Sequence, residues 1–290
     1  MAARRAGATA PVDTTTEAGV PARTPNAGVM VEFERPEPGL LVLTLARPEA
    51  RNSLSMSMLA ALQGAIDTIS ADAGVRAVVI AARGTAFCAG HDLRELTEHR
   101  SDPDGGRGFT ERLMRECSTF MQSLLRCPKP VIAAVEGVAT AAGCQLVATC
   151  DLAVASETAR FATPGVNIGL FCSTPMVALS RNVPRKRAME MLLLGEMLPA
   201  AEAAAYGLVN RVVPAGAALD AALGLARTVA SKPPVTLAMG KEAFYRQAEM
   251  SLADAYDYAA GVMVENMMHA ESREGIGAFL QKRPPDWNKR

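Results

Sequence analysis

The chain has 290 residues, 49% of them hydrophobic and 21% charged, which fits one large globular domain or two ordinary ones and not a disordered polymer. Thirty Lys and Arg balance thirty Asp and Glu, so there is no basic excess for nucleic acid, and 4% aromatics argue against base stacking. Alanine is the commonest residue and glycine occurs 23 times, so the core is expected to be built from small side chains with closely approaching backbones.

Residues 1–28, rich in Ala, Gly, Pro and Thr and without an apolar h-region, read as a solvated, disordered tail. Val29–Arg35 and Leu40–Ala46 are β-rich runs separated by Pro-Glu-Pro-Gly, which predicts a hairpin. Asn52-Ser53-Leu54-Ser55 offers a helix N-cap, followed by an amphipathic stretch to about Ser70. Arg76–Ala82 is a continuous apolar run and predicts a strand buried on both faces. The polar, Gly-rich Glu98–Gly108 predicts a mobile loop, and Phe109–Arg126 a helix stopped by Cys-Pro-Lys-Pro.

A strand at Val131–Val135, a glycine turn, a helix ending near Thr149 and a strand at Leu152–Ala155 follow. That succession predicts α/β layering with parallel pairing. Val131–Cys150 is the most membrane-like window, but Glu136 and Gln145 inside it make burial in protein the better reading, and no membrane partner is expected. From Thr174 the chain is expected to be helical apart from a strand at Leu208–Val213. Lys232-Pro233-Pro234 opens a last helical section running through Phe279. The organisation is therefore a tail (1–28), a core (29–232) and a C-terminal helical region (233–290).

The cysteines at 88, 117, 127, 144, 150 and 172 include no C-x-x-C, so they are expected to be free thiols in a reducing compartment, with no metal. Two strand-to-helix junctions carry the functional signal: Phe87-Cys88-Ala89-Gly90-His91-Asp92-Leu93 and Gly137 through Gln145. Both fall at carboxyl ends of predicted parallel strands, where open α/β sheets bind ligands. Small residues there let a ligand touch backbone N–H groups, and two such groups converging from two turns suit an enolate or tetrahedral oxygen. A tight packing turn is the alternative reading.

The segments ARPEARNSL (46–54), RAVVIAARGTAFCAGHDL (76–93), KPVIAAVEGVATAAGCQLVATCDLAVASETARF (129–161), VNIGL (166–170) and AAYGLVNRVVP (204–214) resemble the enoyl-CoA hydratase/isomerase, or crotonase, superfamily over roughly residues 30–285. The resemblance implies an α/β spiral of ββα units, a helical C-terminal trimerisation region, and homotrimers or dimers of trimers. It implies an acyl-CoA thioester as substrate with no further cofactor, in fatty-acid metabolism. It places the thioester oxygen between the amides of His91 and Ala142. Ala50, Arg51, Ala89, His91, Leu93 and Arg94 would line the coenzyme A channel, and Lys282 would meet a phosphate, in its own or a neighbouring subunit. The compartment implied is the cytoplasm, or the mitochondrial matrix in a eukaryote.

The sequence also departs from the family. Hydratases of this type use two glutamates; the corresponding positions here are Gln145 and Gly165. An amide does not titrate near neutral pH and glycine has no side chain. Each general acid or base contributes about 10²–10⁴-fold, so efficient hydration is not expected. Three side chains stand as alternatives: the His91 imidazole, Glu136 (capping backbone or functional) and Cys172. Asp92 and Asp151 are expected to cap backbone or pair with arginines. His99 and His269 are expected at the surface, and Met189, Met191, Met197, Met267 and Met268 between helices.

Overall fold

The computed structural model describes residues 28–287, so the predicted tail lies outside the described residues apart from Gly28. The chain runs β1 (Val31–Glu34), β2 (Gly39–Leu45), α1 (Met56–Ala71), β3 (Val75–Ala82), β4 (Ala86–Cys88), α2 (Leu93–Glu98) and α3 (Arg107–Arg126). Next come β5 (Val131–Val135), β6 (Val138–Thr140), α4 (Ala142–Thr149), β7 (Leu152–Ser156) and β8 (Arg160–Ala162). It closes with α5 (Pro175–Asn182), α6 (Arg185–Leu194), β9 (Leu198–Pro199), α7 (Ala200–Ala205), β10 (Arg211–Val213), α8 (Ala218–Ala230), α9 (Pro234–Gln247), α10 (Leu252–Met268) and α11 (Ala270–Leu280).

Two sheets form. One has the order β1-β2-β3-β5-β7-β10, antiparallel at the β1–β2 hairpin and parallel beyond it. The second has the order β4-β6-β8-β9, parallel except for the β8–β9 pair. The long strands β3, β5 and β7 are each followed by a short one, β4, β6 and β8, that crosses to the second sheet. The ββα spiral is this alternation.

The continuous apolar runs have a physical cause in that layering. Leu41, Leu43, Leu45, Val78, Ile80, Val131, Ala133 and Val135 face the main core with α1, α3 and α4. Their neighbours Leu40, Val42, Ala77, Val79, Ala81, Ile132 and Ala134 face Ala218, Ala222, Leu223 and Ala226 of α8. Alanines spaced at 218, 222 and 226 make a helix face that can lie close to the sheet, which gives the alanine excess one of its addresses. Each fully buried Val, Ile or Leu contributes about 1.5–3 kcal/mol.

Several sequence expectations are corrected. The direct turn-to-helix passage after β5 contains the extra strand β6. The last strand starts at Arg211 rather than Leu208, because Leu208 and Val209 enter the core and the Asn210 carboxamide oxygen accepts from the Ala153 amide at 2.8 Å. Segment 98–108 is not an open loop. It forms a 3-10 turn at His99–Ser101 and a turn in which the Asp104 carboxylate accepts from the Gly106 and Gly108 amides at 2.9 and 2.8 Å. His99 is not simply solvated: its ring stacks on Phe109 and Nδ1 lies 2.8 Å from an Asp102 oxygen. His269 Nδ1 accepts from the Glu271 amide and caps α11. Of the five methionines expected between helices, only Met191 is buried; Met189, Met197, Met267 and Met268 are exposed in the single chain.

Asp92 and Asp151 both cap backbone as expected; Asp92 pairs with an arginine, Arg47, whereas Asp151 pairs with a lysine. Asp151 accepts from the Val131 amide at 2.7 Å, from Lys241 Nζ at 2.6 Å and from the Tyr245 hydroxyl at 2.8 Å. Lys241 also donates to the Leu124 and Lys129 carbonyls, so its buried ammonium clamps α9 onto the core. Among the described residues no helix is long and apolar enough to cross a membrane.

Candidate active site

The site is assembled from the ends of β4 and β6. After β4 the chain passes through Ala89, Gly90 and His91 to Asp92, whose carboxylate accepts from the Arg94 and Glu95 amides and starts α2. After β6 it passes through Ala141, at φ 50° and ψ −120°, into α4 at Ala142. A non-glycine residue at positive φ is strained by about 1–3 kcal/mol and points to a backbone held for a purpose.

The two turns touch. A Cβ on Gly90 would lie 2.8 Å from the Ala141 Cβ and 3.3 Å from the Ala142 nitrogen, and φ is +94° there, so position 90 requires glycine. The Thr140 hydroxyl donates to the Ala89 carbonyl at 3.1 Å and ties the turns together. Gly143 is equally constrained, since a Cβ there would sit 2.0 Å from the Cys88 carbonyl oxygen.

The 46–54 segment fixes the first turn. The Ala89 amide donates to the Arg51 carbonyl, the Leu54 amide to Gly90 and the Asp92 amide to Leu54. Leu54 and His91 are thus partners in a parallel bridge. In that pattern the neighbours of His91 face Leu54, so the His91 N–H faces the opposite way. Neither it nor the Ala142 N–H donates to any protein acceptor among the described residues. Two donors of this kind receive an oxygen that carries developing negative charge.

Asn52 holds this arrangement and was missed as more than part of a helix cap. Fully buried, it donates from Nδ2 to the Arg83 and Ala86 carbonyls at 2.9 and 2.8 Å, and its Oδ1 accepts from the Arg47 amide at 2.8 Å. No local signal marks it, because the two carbonyls it donates to stand more than thirty residues away.

Of the remaining nominated residues, Ala50, Arg51, Ala89, Leu93 and Arg94 surround the first turn, with the Arg51 and Arg94 side chains exposed. Lys282 does not join them. It follows α11, which packs on α9 and α10, and no hydrogen bond links it to either junction.

Gln145 lies one turn into α4, on the face shared by residues three apart, and is 5% exposed with no hydrogen-bond partner for Oε1. Gly165 is buried, and a Cβ there would stand 2.8 Å from the Leu170 carbonyl oxygen and 2.9 Å from Cys172 Sγ. The position is closed as well as empty. Only four buried side-chain polar atoms among the described residues lack a partner; three of them belong to His91, Gln145 and Thr163. Buried polar atoms are normally paired, so each of these three calls for a partner that the protein does not supply.

The alternative acid–base groups separate clearly. Glu136 accepts from the Gly216 and Ala218 amides at 3.0 and 2.7 Å, capping α8. Burial pushes the Cys172 thiol above its ordinary value, opposed by the Gly165 amide. The six cysteines are free and buried, and burial raises Cys88, Cys117 and Cys144 to about 12. Burial pushes the His91 imidazole below 6.5, opposed by its contact with the Leu54 carbonyl. Among the described residues no group of three His, Cys, Asp or Glu is placed to hold a metal. A separate cavity of about 300 Å³ lies at the opposite, amino-terminal ends of β3 and β5, bordered by Arg76, Lys129 and α9.

Two sheets wound as ββα units, with paired backbone donors at adjacent strand ends, define an α/β fold of the crotonase class. The sequence pattern described as enoyl-CoA hydratase/isomerase matches residues 35–290, and the chain belongs to that family. It is similar to human enoyl-CoA hydratase domain-containing protein 3, mitochondrial, at 45% identity over 250 residues, covering 86% of this chain and 81% of the relative. A crystal structure of the same human protein superposes with a TM-score of 0.84 at 44% identity, covering 89% of this chain and 100% of the other. An enoyl-CoA hydratase structure from Mycobacterium smegmatis gives 0.85 at 51% identity, covering 90% and 100%.

Proposed function

We propose that the protein binds an acyl-CoA thioester, with the amides of His91 and Ala142 receiving its carbonyl oxygen, and acts in acyl-CoA metabolism without efficient enoyl-CoA hydration. The observation that carries this reading is the contact between the two turns, which leaves two neighbouring N–H groups without protein acceptors. Arg51 and Arg94 are the cations for the coenzyme A phosphates, Ala50, Ala89 and Leu93 line its path, and Lys282 serves a neighbouring subunit of a homotrimer or a dimer of trimers. The named relatives are mitochondrial in human and bacterial in Mycobacterium, which supports the matrix or the cytoplasm according to the host.

Hydration needs one group to activate water and another to handle the α-proton. Gln145 titrates neither, and the backbone at Leu170 leaves no room for a carboxylate at 165. That closure favours a second reading, an acyl-CoA-binding regulatory protein without turnover. Butyryl-CoA at about a hundred times its Kd should stabilise the fold by about 2.7 kcal/mol, read as a rise in Tm. No shift well above millimolar ligand removes both readings. Crotonyl-CoA turnover at the rate of an ordinary hydratase would overturn the argument from Gln145 and Gly165.

A further inference from the structure

Glu136 is committed to α8 and the Cys172 thiol is held protonated by burial, which leaves one titratable side chain at the junctions with an unengaged atom. His91 Nδ1 lies 3.4 Å from the Leu54 carbonyl oxygen. A carbonyl only accepts, so Nδ1 carries the hydrogen and Nε2 presents a bare lone pair. That Nε2 is buried and has no partner. Of the charged groups beside it, Arg51 and Arg94 are exposed, and the carboxylates of Asp92 and Glu95 are engaged elsewhere. Asp92 pairs with Arg47 and takes the Ser53 hydroxyl and the amides at the start of α2, while Glu95 accepts from the Met56 amide at the start of α1.

We propose that the His91 imidazole is the base that enolises a bound acyl thioester whose carbonyl oxygen rests on the amide of the same residue. The proposal rests on the acyl-CoA reading above. In the step, the Cα–H bond breaks and the proton passes to Nε2. The electron pair forms the Cα–C1 double bond as the carbonyl π pair moves onto oxygen, between the two amides. Collapse of the enolate takes a proton back from the imidazolium, so the thioester is regenerated with no oxidant and no water consumed. Catalysis of this kind needs one base rather than two carboxylates, which suits a site that holds Gln145 and a closed position 165. The Gln145 amide can hydrogen-bond the ligand but cannot take its proton.

The test incubates the full chain with butyryl-CoA in deuterated buffer and follows α-deuterium by mass spectrometry, with Tm shift as the separate measure of binding. The wild type should exchange α-protons faster than buffer. Its rate should be level at neutral pH and fall only below the ordinary histidine value of 6.5, because burial resists protonation. His91→Gln and His91→Asn keep the amide, so butyryl-CoA should still raise Tm while exchange drops about 10²–10⁴-fold. Binding without exchange in the wild type, or exchange undiminished in the variants, overturns the proposal. Absence of binding overturns the acyl-CoA reading instead. Should neither variant fold, the wild-type profile decides, and a fall in rate with its midpoint above the ordinary histidine value of 6.5 defeats a role for this imidazole, which burial pushes lower.

Discussion

The surroundings of Gly165 leave no room for a side chain. The Leu170 amide donates to the Gly165 carbonyl, and the backbone returns so that the Leu170 oxygen and Cys172 sulfur occupy the space of a β-carbon. Gly165→Ala should therefore cost about 1–3 kcal/mol by overpacking, measured as a lower urea midpoint. Gly165→Glu should cost more. Gln145→Glu needs little change of shape but leaves a buried carboxylate without a partner, whose titration should move above the ordinary glutamate range. The Gln145→Glu, Gly165→Glu double variant should accordingly fail to become a hydratase. Stable folding with fast crotonyl-CoA hydration would mean that residues 169–172 swing aside. The closure at 165 was not legible in the sequence, because the atoms responsible, the Leu170 carbonyl oxygen and the Cys172 sulfur, belong to residues further along the chain. Asn52 escaped notice for the same reason: the carbonyls of Arg83 and Ala86 that it donates to are far along the chain.

At the scale of elements, the apolar runs of β3 and β5 were readable because burial on both faces leaves an uninterrupted stretch. β4, β6 and β8 were not, since three residues are too few to establish a period of two. Segment 98–108 misled in the other direction. Its Gly and Asp content looks like an open loop, yet Asp104 turns the same residues into an ordered start for α3. Two α9 side chains meet Asp151 at the joint with the core: Lys241, whose side chain is 7% exposed, and Tyr245, whose hydroxyl donates to the same carboxylate. Removing one partner of a buried pair costs about 3–5 kcal/mol. Lys241→Met should lower stability on that scale and reduce hydrogen-exchange protection across α9, while Lys232→Met, at an exposed site, should do neither. Equal protection in the two variants would show that Lys241 is not what holds the helix.

For the whole molecule, the instructive residues are those the fold does not cover. Met263, Val264, Met267 and Met268 on α10 and Ile276, Phe279 and Leu280 on α11 are more than half exposed. Apolar surface gathered in this way marks an association face. Met267 and Met268, expected to pack between helices, are thus left uncovered within one chain, which periodicity cannot reveal. Sedimentation should find a trimer or hexamer, and Phe279→Ser with Leu280→Ser should shift the population to smaller species. A wild-type monomer at micromolar concentration would remove the assembly from the proposal.

The two unengaged amides at His91 and Ala142 also bear on inheritance. A codon change can replace a carboxylate outright, but among the standard amino acids only proline deletes an N–H. A lineage can therefore discard one set of reactive groups and try another while the grip on a carbonyl oxygen passes on almost untouched. Glycines 90 and 143 are the exception, since each is pressed against neighbouring backbone. Heritable risk in this protein is concentrated there, in residues with no side chain to lose.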